Sequence, residues 1–186
     1  MKVVLINGSA RNNGSCSYLL DKMKDAFEEN QFNVKKYDIS DMNIGYCKGC
    51  KKCYIDGRCV QNDDIEMIVK DILSSDYVVI ATPSYWADVP GQIKTFFDRN
   101  TPFGDTNENR ILITDKEIKG IGIAVRAGKS KRENEVILDF IDHYYGHLGI
   151  NPIKRFSVRN VDKLNDIIKQ NEVINEIYDF AKQING

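Results

Sequence analysis

The chain has 186 residues, 42% of them hydrophobic, and a formal net charge of −1 at pH 7. That length builds one domain with a sizeable core and is too short for two ordinary ones, and the balanced charge argues against a general nucleic-acid binder. The longest apolar run, Tyr77-Val-Val-Ile-Ala81, is too short to cross a membrane. The apolar stretch after Met1 lacks the length and cleavage site of a secretory leader, so a reducing cytoplasm is the expected compartment.

Short β-branched runs alternate with amphipathic segments, the pattern of a parallel sheet covered by helices on both faces. Lys2 to Asn7 reads as the first strand, and a helix begins near Ser15 with Leu19, Leu20, Met23, Ala26 and Phe27 at helical spacing. Phe32 to Asp38 is the second strand. Asp63-Asp-Ile-Glu66 has the form of a capping box before a helix that buries Ile65, Ile68, Val69 and Ile72. Tyr77 to Thr82 is the third strand, and Asp88-Val-Pro90, with the aspartate as cap, opens a helix over Gln92 to Arg99. Asn100 to Glu117 is an irregular excursion around Ile111-Leu-Ile113. Ile118 to Val125 is strand four, Glu133 to Leu148 a helix and Ile153 to Val158 strand five, and one helix from about Val161 to Gln183 closes the chain. The expectation is a single α/β domain over residues 1–186 with a doubly wound, five-stranded parallel sheet, which binds ligands outside the carboxyl ends of its strands.

Three loops fall at that edge. The first, Gly8-Ser-Ala-Arg-Asn-Asn-Gly-Ser-Cys-Ser17, opens directly into a helix and suits an anion. Backbone N–H groups and the helix dipole face it, Ser9, Ser15 and Ser17 add hydroxyl donors, and Arg11 adds charge. Asn13 and Cys16 complete this loop's candidate cofactor-binding set, with the Cys16 side chain read as small packing. The fit is to a monophosphate, since both the dinucleotide fingerprint and the P-loop pattern are missing. The alternative is an ordinary turn with a solvated arginine. The second loop, Pro83-Ser84-Tyr85-Trp86, puts two aromatics at a strand end where they can flank a planar ring such as a flavin, while Pro83 and Ser84 shape the turn. The third, Val125-Arg126-Ala-Gly128-Lys-Ser130, could hold the far side of the ring, and Arg126 would stabilise a reduced, anionic flavin by Coulomb attraction.

Four of the five cysteines lie in one stretch, Cys47, Cys50, Cys53 and Cys59, spaced C-x2-C-x2-C-x5-C between the second strand and the following helix. Such crowding gathers thiolates around one centre, and a cubane needs four corners. Structural zinc usually takes two separated C-x2-C knuckles, so the spacing favours a cluster over zinc. A redox disulfide and uncommitted thiols stay open. The loop leaves the second strand on the ligand-binding side. Lys48, Lys51, Lys52 and Arg58 around it would favour an electron-rich cluster or an acidic electron donor, or are simply solvated. His143 and His147, one helical turn apart, lack the further ligands of a metal motif and are expected to face a neighbouring helix or subunit.

Taken together, the Gly8 to Ser17 loop, the Pro83-Ser-Tyr-Trp turn running into Gly91-Gln-Ile-Lys-Thr-Phe-Phe-Asp-Arg99, and the cysteine run followed by Asp63-Asp64 resemble the NADPH-dependent FMN reductase-like flavodoxin family. The cysteine-bearing branch it resembles is that of the iron–sulfur flavoproteins. The resemblance implies a flavodoxin-like fold and a homodimer or homotetramer. It implies FMN with its phosphate on Ser9, Arg11, Ser15 and Ser17 and its ring against Pro83 to Trp86, with Arg126 and Gly128 in a third loop that departs from the family's commoner form. It also implies a [4Fe–4S] cluster on Cys47, Cys50, Cys53 and Cys59. The expected activity is hydride transfer from NAD(P)H to FMN and on to a small acceptor such as a quinone, a free flavin or oxygen, with no side-chain acid or base required. Two alternatives remain: single-electron transfer between cluster, FMN and a partner such as ferredoxin, and a non-catalytic scaffold.

Overall fold

A computed structural model describes residues 1–184; Ile184 is followed by two residues that lie outside the described part, although the expected domain includes them. Five parallel strands, β1 (Lys2–Asn7), β2 (Asn33–Asp38), β3 (Tyr77–Pro83), β4 (Ile118–Val125) and β5 (Ile150–Val158), pair in the order β2-β1-β3-β4-β5. This is the flavodoxin-like order, in which the chain reverses direction across the sheet between β1 and β3 and leaves a crevice at their carboxyl ends.

Alternation along the strands divides the core in two. Val3 and Leu5 of β1 and Val79 and Ala81 of β3 face α1 (Ser15–Glu29), together with a C-terminal helical pair. Val4, Ile6, Val78 and Ile80 face the opposite layer. Naming the remaining helices in chain order, α2 (Cys53–Asp56) is a short turn in the cysteine loop, and that opposite layer is α3 (Ile65–Leu73), α4 (Gly91–Asp98) and α5 (Lys131–His147). Strands buried on both faces are necessarily near-continuous apolar runs, which is why β1 and β3 are so plain in the sequence.

Four expectations need correction. The closing helix is two, α6 (Leu164–Ile168) and α7 (Asn171–Gln183). The break at Gln170, whose side-chain amide donates to Arg159 O at 2.9 Å, lets Ile167 and Ile177 both reach the core. β5 begins at Ile150, three residues early, because a register shift against Gly120 and Ile121 skips Ile153 and a proline at 152 blurs the alternation. The capping box before α3 is only half formed: Asp63 Oδ1 accepts from Ile65 N–H at 3.4 Å while also pairing with Arg99, and the Glu66 carboxylate pairs with Lys70 instead. Asp88 does not cap α4 either: Pro90 takes the N-cap position, and Asp88 accepts from its neighbour Val89 N–H at 2.7 Å.

Candidate functional site

Loops after β1, β3, β4 and β5 meet at the carboxyl edge around a cavity of about 100 Å³, lined by Ser9, Arg11, Ser15, Cys16, Pro83, Ser84, Tyr85 and Arg126 among others. The first loop is held in shape by its own backbone. Gly8 N–H donates to Ala81 O at 2.8 Å, Ser9 Oγ accepts from Arg11 N–H at 3.0 Å, and Asn7 Oδ1 accepts from Ser9 N–H at 3.1 Å. Gly14 stands at the N-cap of α1. No side chain caps that fifteen-residue helix, and no acidic residue occupies its first turn, so its positive end is left for an anion.

Not every candidate reaches this cavity. Asn13 lines an adjoining one of about 410 Å³ with Arg11, Asn12, Gly14, Ser15, Lys163 and Leu164. Ser17 is buried and accepts a hydrogen bond from Lys36 Nζ at 2.7 Å, on the β2 side of α1. Burial pushes the Cys16 thiol up to about 12, so it lines the site as an inert group. Trp86 does not line the cavity. It is 101% exposed, and with Ala87 it forms the tip of a two-residue turn closed by Tyr85 N–H to Asp88 O at 2.8 Å and its reciprocal at 3.1 Å. Both tip residues have left-handed φ, +57° and +63°, which L-residues adopt only at a cost of order 1 kcal/mol each.

Glu133 and Asn134, which no motif in the sequence marks, organise the third loop. Glu133 accepts from Ser84 Oγ at 3.2 Å and pairs with Arg126 at 3.0 Å, joining the second and third loops. Arg126 Nη1 also donates to Ser130 O at 3.0 Å, while its buried Nε has no partner. Gly128 lies beneath this guanidinium, where a Cβ would come within 2.6 Å of it. The fully buried Asn134 donates to Ala124 O and Val158 O, both at 3.0 Å, tying β4 to β5 under the loop. A polar pair opening an amphipathic helix looks like a solvated first turn in sequence, so only tertiary contacts reveal the two roles.

A second cavity, of about 190 Å³, is lined by all four clustered cysteines, with Tyr54, Val60, Gln61, Asp98, Arg99, Thr101 and Pro102. It shares no lining residue with the first. The cysteine loop leaves β2 at the carboxyl edge as expected, but its cysteines sit beside the C-terminal end of α4. The start of that helix touches the first loop, where Gln92 donates to Gly8 O at 3.0 Å. Asp98 and Arg99 at the other end of α4 line the cysteine cavity, so this helix runs from the first loop to the cysteine loop. Cys47 and Cys50 are exposed and Cys53 and Cys59 partly buried, all as free thiols, and burial followed by the neighbouring cysteine sulfurs raises the Cys53 thiol. Among the described residues no three His, Cys, Asp or Glu side chains are gathered around a single-ion position.

The irregular excursion supplies the loop's supports. The buried Asn107 donates to Cys53 O at 3.0 Å and Asn109 to Tyr54 O at 2.7 Å, holding both ends of the peptide that starts α2. Elsewhere His147 packs against its own helix and the excursion, with its Nε2 3.1 Å from His143 Nε2 and its Nδ1 2.6 Å from Asp105 Oδ1. Among the described residues no helix is long and apolar enough to cross a membrane.

Sheet order, an open anion loop, an aromatic turn and a separate thiol-lined cavity define a flavodoxin-like α/β protein with two candidate centres. The sequence model of the NADPH-dependent FMN reductase family matches residues 1–155, and the chain belongs to that family. It is similar to an iron–sulfur flavoprotein of Archaeoglobus fulgidus, 37% identical over 153 residues that cover 82% of this chain and 66% of that protein. An iron–sulfur flavoprotein of Methanocaldococcus jannaschii is 30% identical over 147 residues, covering 79% of this chain and 73% of its own. The chain thus spans just under two thirds of the Archaeoglobus relative. In fold it is similar to an NAD(P)H:quinone oxidoreductase from Methanothermobacter marburgensis, with a TM-score of 0.74, 14% identity and coverage of 98% and 94% of the two chains.

Proposed function

We propose that this protein is an FMN-dependent oxidoreductase that takes electrons from NAD(P)H, passes them to a small acceptor, and carries a [4Fe–4S] cluster on Cys47, Cys50, Cys53 and Cys59. The observation that carries the reading is the pairing of an uncapped helix N-terminus beside Ser9, Arg11 and Ser15 with four cysteines lining one separate cavity. The relatives named iron–sulfur flavoproteins support it.

The residues present suit an FMN phosphate in type: Ser9, Ser15 and Arg11 line the cavity at a helix start with no acidic residue in its first turn, although Asp162 lines it too and its carbonyl holds Arg11 Nη1 at 3.3 Å. The first cavity, about 100 Å³, is smaller than a pocket for a whole cofactor. Pro83, Ser84 and the exposed Tyr85–Trp86 turn beside the cavity would hold the flavin ring, the two aromatics offering faces for a planar group. Bound FMN supplies the chemistry, accepting hydride and releasing electrons to an acceptor. Arg126, held by Glu133, places a positive charge beside the site and favours negative charge on the ligand. The four sulfurs suit a cluster in donor type and number.

Anaerobic titration of the FMN-loaded protein with NADH and with NADPH, followed by flavin absorbance, tests the reading. Bleaching by either nucleotide and recovery on adding a quinone is expected; bound flavin that neither nucleotide reduces refutes it. Replacing Arg11 with Ala should weaken FMN binding roughly tenfold, the effect of about 1.4 kcal/mol from a lost charge-assisted contact.

A further inference from the structure

Arg99 is the one charged side chain among the described residues that is buried outright. It follows the last turn of α4, 1% exposed, and its donors converge on the cysteine loop from beneath. Nη1 donates to Gly45 O at 2.6 Å and to Asp63 Oδ2 at 2.5 Å. Nη2 donates to Asp63 Oδ1 at 3.0 Å and to Cys59 Sγ at 3.5 Å. Asp63 Oδ2 in turn accepts from Gly45 N–H at 3.1 Å. Both flanks of the loop, residue 45 before the first cysteine and residue 63 after the last, are thereby closed on one guanidinium. Among the four cysteines, only Cys59 receives a side-chain hydrogen bond from a charged donor within the described residues.

A buried ion pair is a poor source of stability, because the loss of hydration offsets most of the Coulomb attraction. A fork spent on one carboxylate, one carbonyl and one sulfur has a better explanation in what it does to the sulfur. Hydrogen bonds and charges at cluster sulfurs set reduction potential, since the reduced centre carries one more negative charge and gains more from a nearby donor.

We propose that Arg99 is the positioning residue that sets the reduction potential of the cysteine centre, acting through Cys59, with Asp63 as the counter-charge that limits its effect. This rests on the cluster reading above. The step concerned is uptake of one electron by the oxidised centre, supplied by NAD(P)H through the flavin or by dithionite in the test, with no bond made or broken. Removing the guanidinium leaves the Asp63 carboxylate facing the sulfurs and makes the centre harder to reduce. Neutralising Asp63 leaves the guanidinium unopposed and makes the centre easier to reduce.

The test is a dithionite titration of anaerobically reconstituted holoprotein, monitored by electron paramagnetic resonance, for wild type, Arg99→Gln, Asp63→Asn, Arg99→Lys and the Arg99→Gln/Asp63→Asn pair. Iron and FMN contents are measured on the same samples. Arg99→Gln should shift the one-electron equilibrium at least tenfold toward the oxidised form, which is about 59 mV more negative. Asp63→Asn should shift it in the opposite direction, and the double variant should lie between them. If Arg99→Gln does not fold, the opposite-signed shift of Asp63→Asn and a smaller negative shift for Arg99→Lys carry the test. Variants that load less iron but keep the wild-type midpoint in the loaded fraction overturn the assignment and leave the cluster reading standing. Wild-type protein that retains FMN yet takes up no iron overturns the cluster reading and the assignment with it.

Discussion

The backbone at Gly57 gives a sharp prediction, because Gly49 in the same loop serves as its control. Both have left-handed φ, +76° and +60°. A Cβ at Gly49 would meet nothing within 4 Å, so Gly49→Ala carries only the backbone penalty, about 1–2 kcal/mol for an L-residue. At Gly57 the Cβ would lie 2.1 Å from Asn109 O and 2.9 Å from Ile111 Cγ2. The excursion must then withdraw, and with it go the Asn107 bond to Cys53 O and the Asn109 bond to Tyr54 O, about 1 kcal/mol each. Gly57→Ala should therefore cost roughly 3–4 kcal/mol, about twice the control, and concentrate the loss in α2 and its supports. Native-state amide exchange at Tyr54, Ile55 and Gly57, with the new alanine read at 57, measures it directly. FMN affinity should be unchanged, since Gly57 does not line the flavin cavity. Equal losses of protection in the two variants would refute the argument that the excursion braces the cysteine turn.

Two further outcomes follow from the geometry. Burial alone would raise the Asp71 carboxyl, but hydrogen bonds from Lys2, Lys35 and Tyr37 outweigh it and hold the group well below the usual carboxylate range. A depressed carboxyl contributes stability above its unfolded pKa of about 4, and that contribution is lost as pH falls through the folded value. Asp71→Asn should thus cost about 1–2 kcal/mol in urea unfolding at pH 7 and flatten the acid limb below pH 4; an unchanged acid limb would sink the reasoning. Asn134→Ala removes two buried donor contacts under the third loop, and should cost about 2 kcal/mol in unfolding and weaken FMN binding several-fold in a fluorescence titration. Wild-type FMN affinity in that variant would show that the loop does not depend on the clamp.

Much of the fold is legible because it rests on local pattern. β1 and β3 carry near-continuous apolar runs, and the buried stripes of α1 and α3 repeat at helical spacing, so tertiary packing only ratifies what periodicity shows. The misreadings occur where a long-range partner decides. Asp63 has the sequence of a helix cap and reaches Ile65 N–H, yet its shorter bonds go to a bidentate arginine 36 residues away. The helix after β5 breaks at Gln170, where no proline or glycine marks the break.

The candidate site divides the same way. Ser9, Arg11, Ser15, Pro83, Ser84, Tyr85 and Arg126 are brought to one cavity from three loops whose order in the chain already points to one edge. Asn13, Ser17, Trp86 and Gly128 stand beside it, in an adjoining cavity, under a lysine, in solvent and beneath Arg126 respectively. Their residue types suit the loop, but the direction of each side chain depends on neighbours that spacing does not encode. The cysteine cavity is legible in part. Spacing groups Cys47, Cys50, Cys53 and Cys59 and topology puts their loop after β2, but where the loop settles depends on Arg99, Asn107 and Asn109, distant partners that spacing does not encode.

The iron-to-FMN ratio of protein purified without oxygen, from metal analysis and flavin absorbance of one sample, decides whether the two centres coexist. About four irons per flavin are expected, falling to near zero iron with flavin retained when Cys53 and Cys59 are both replaced by serine. Flavin without iron in the anaerobic wild-type protein would contradict their coexistence and leave a flavin reductase whose four-cysteine cavity serves some other purpose.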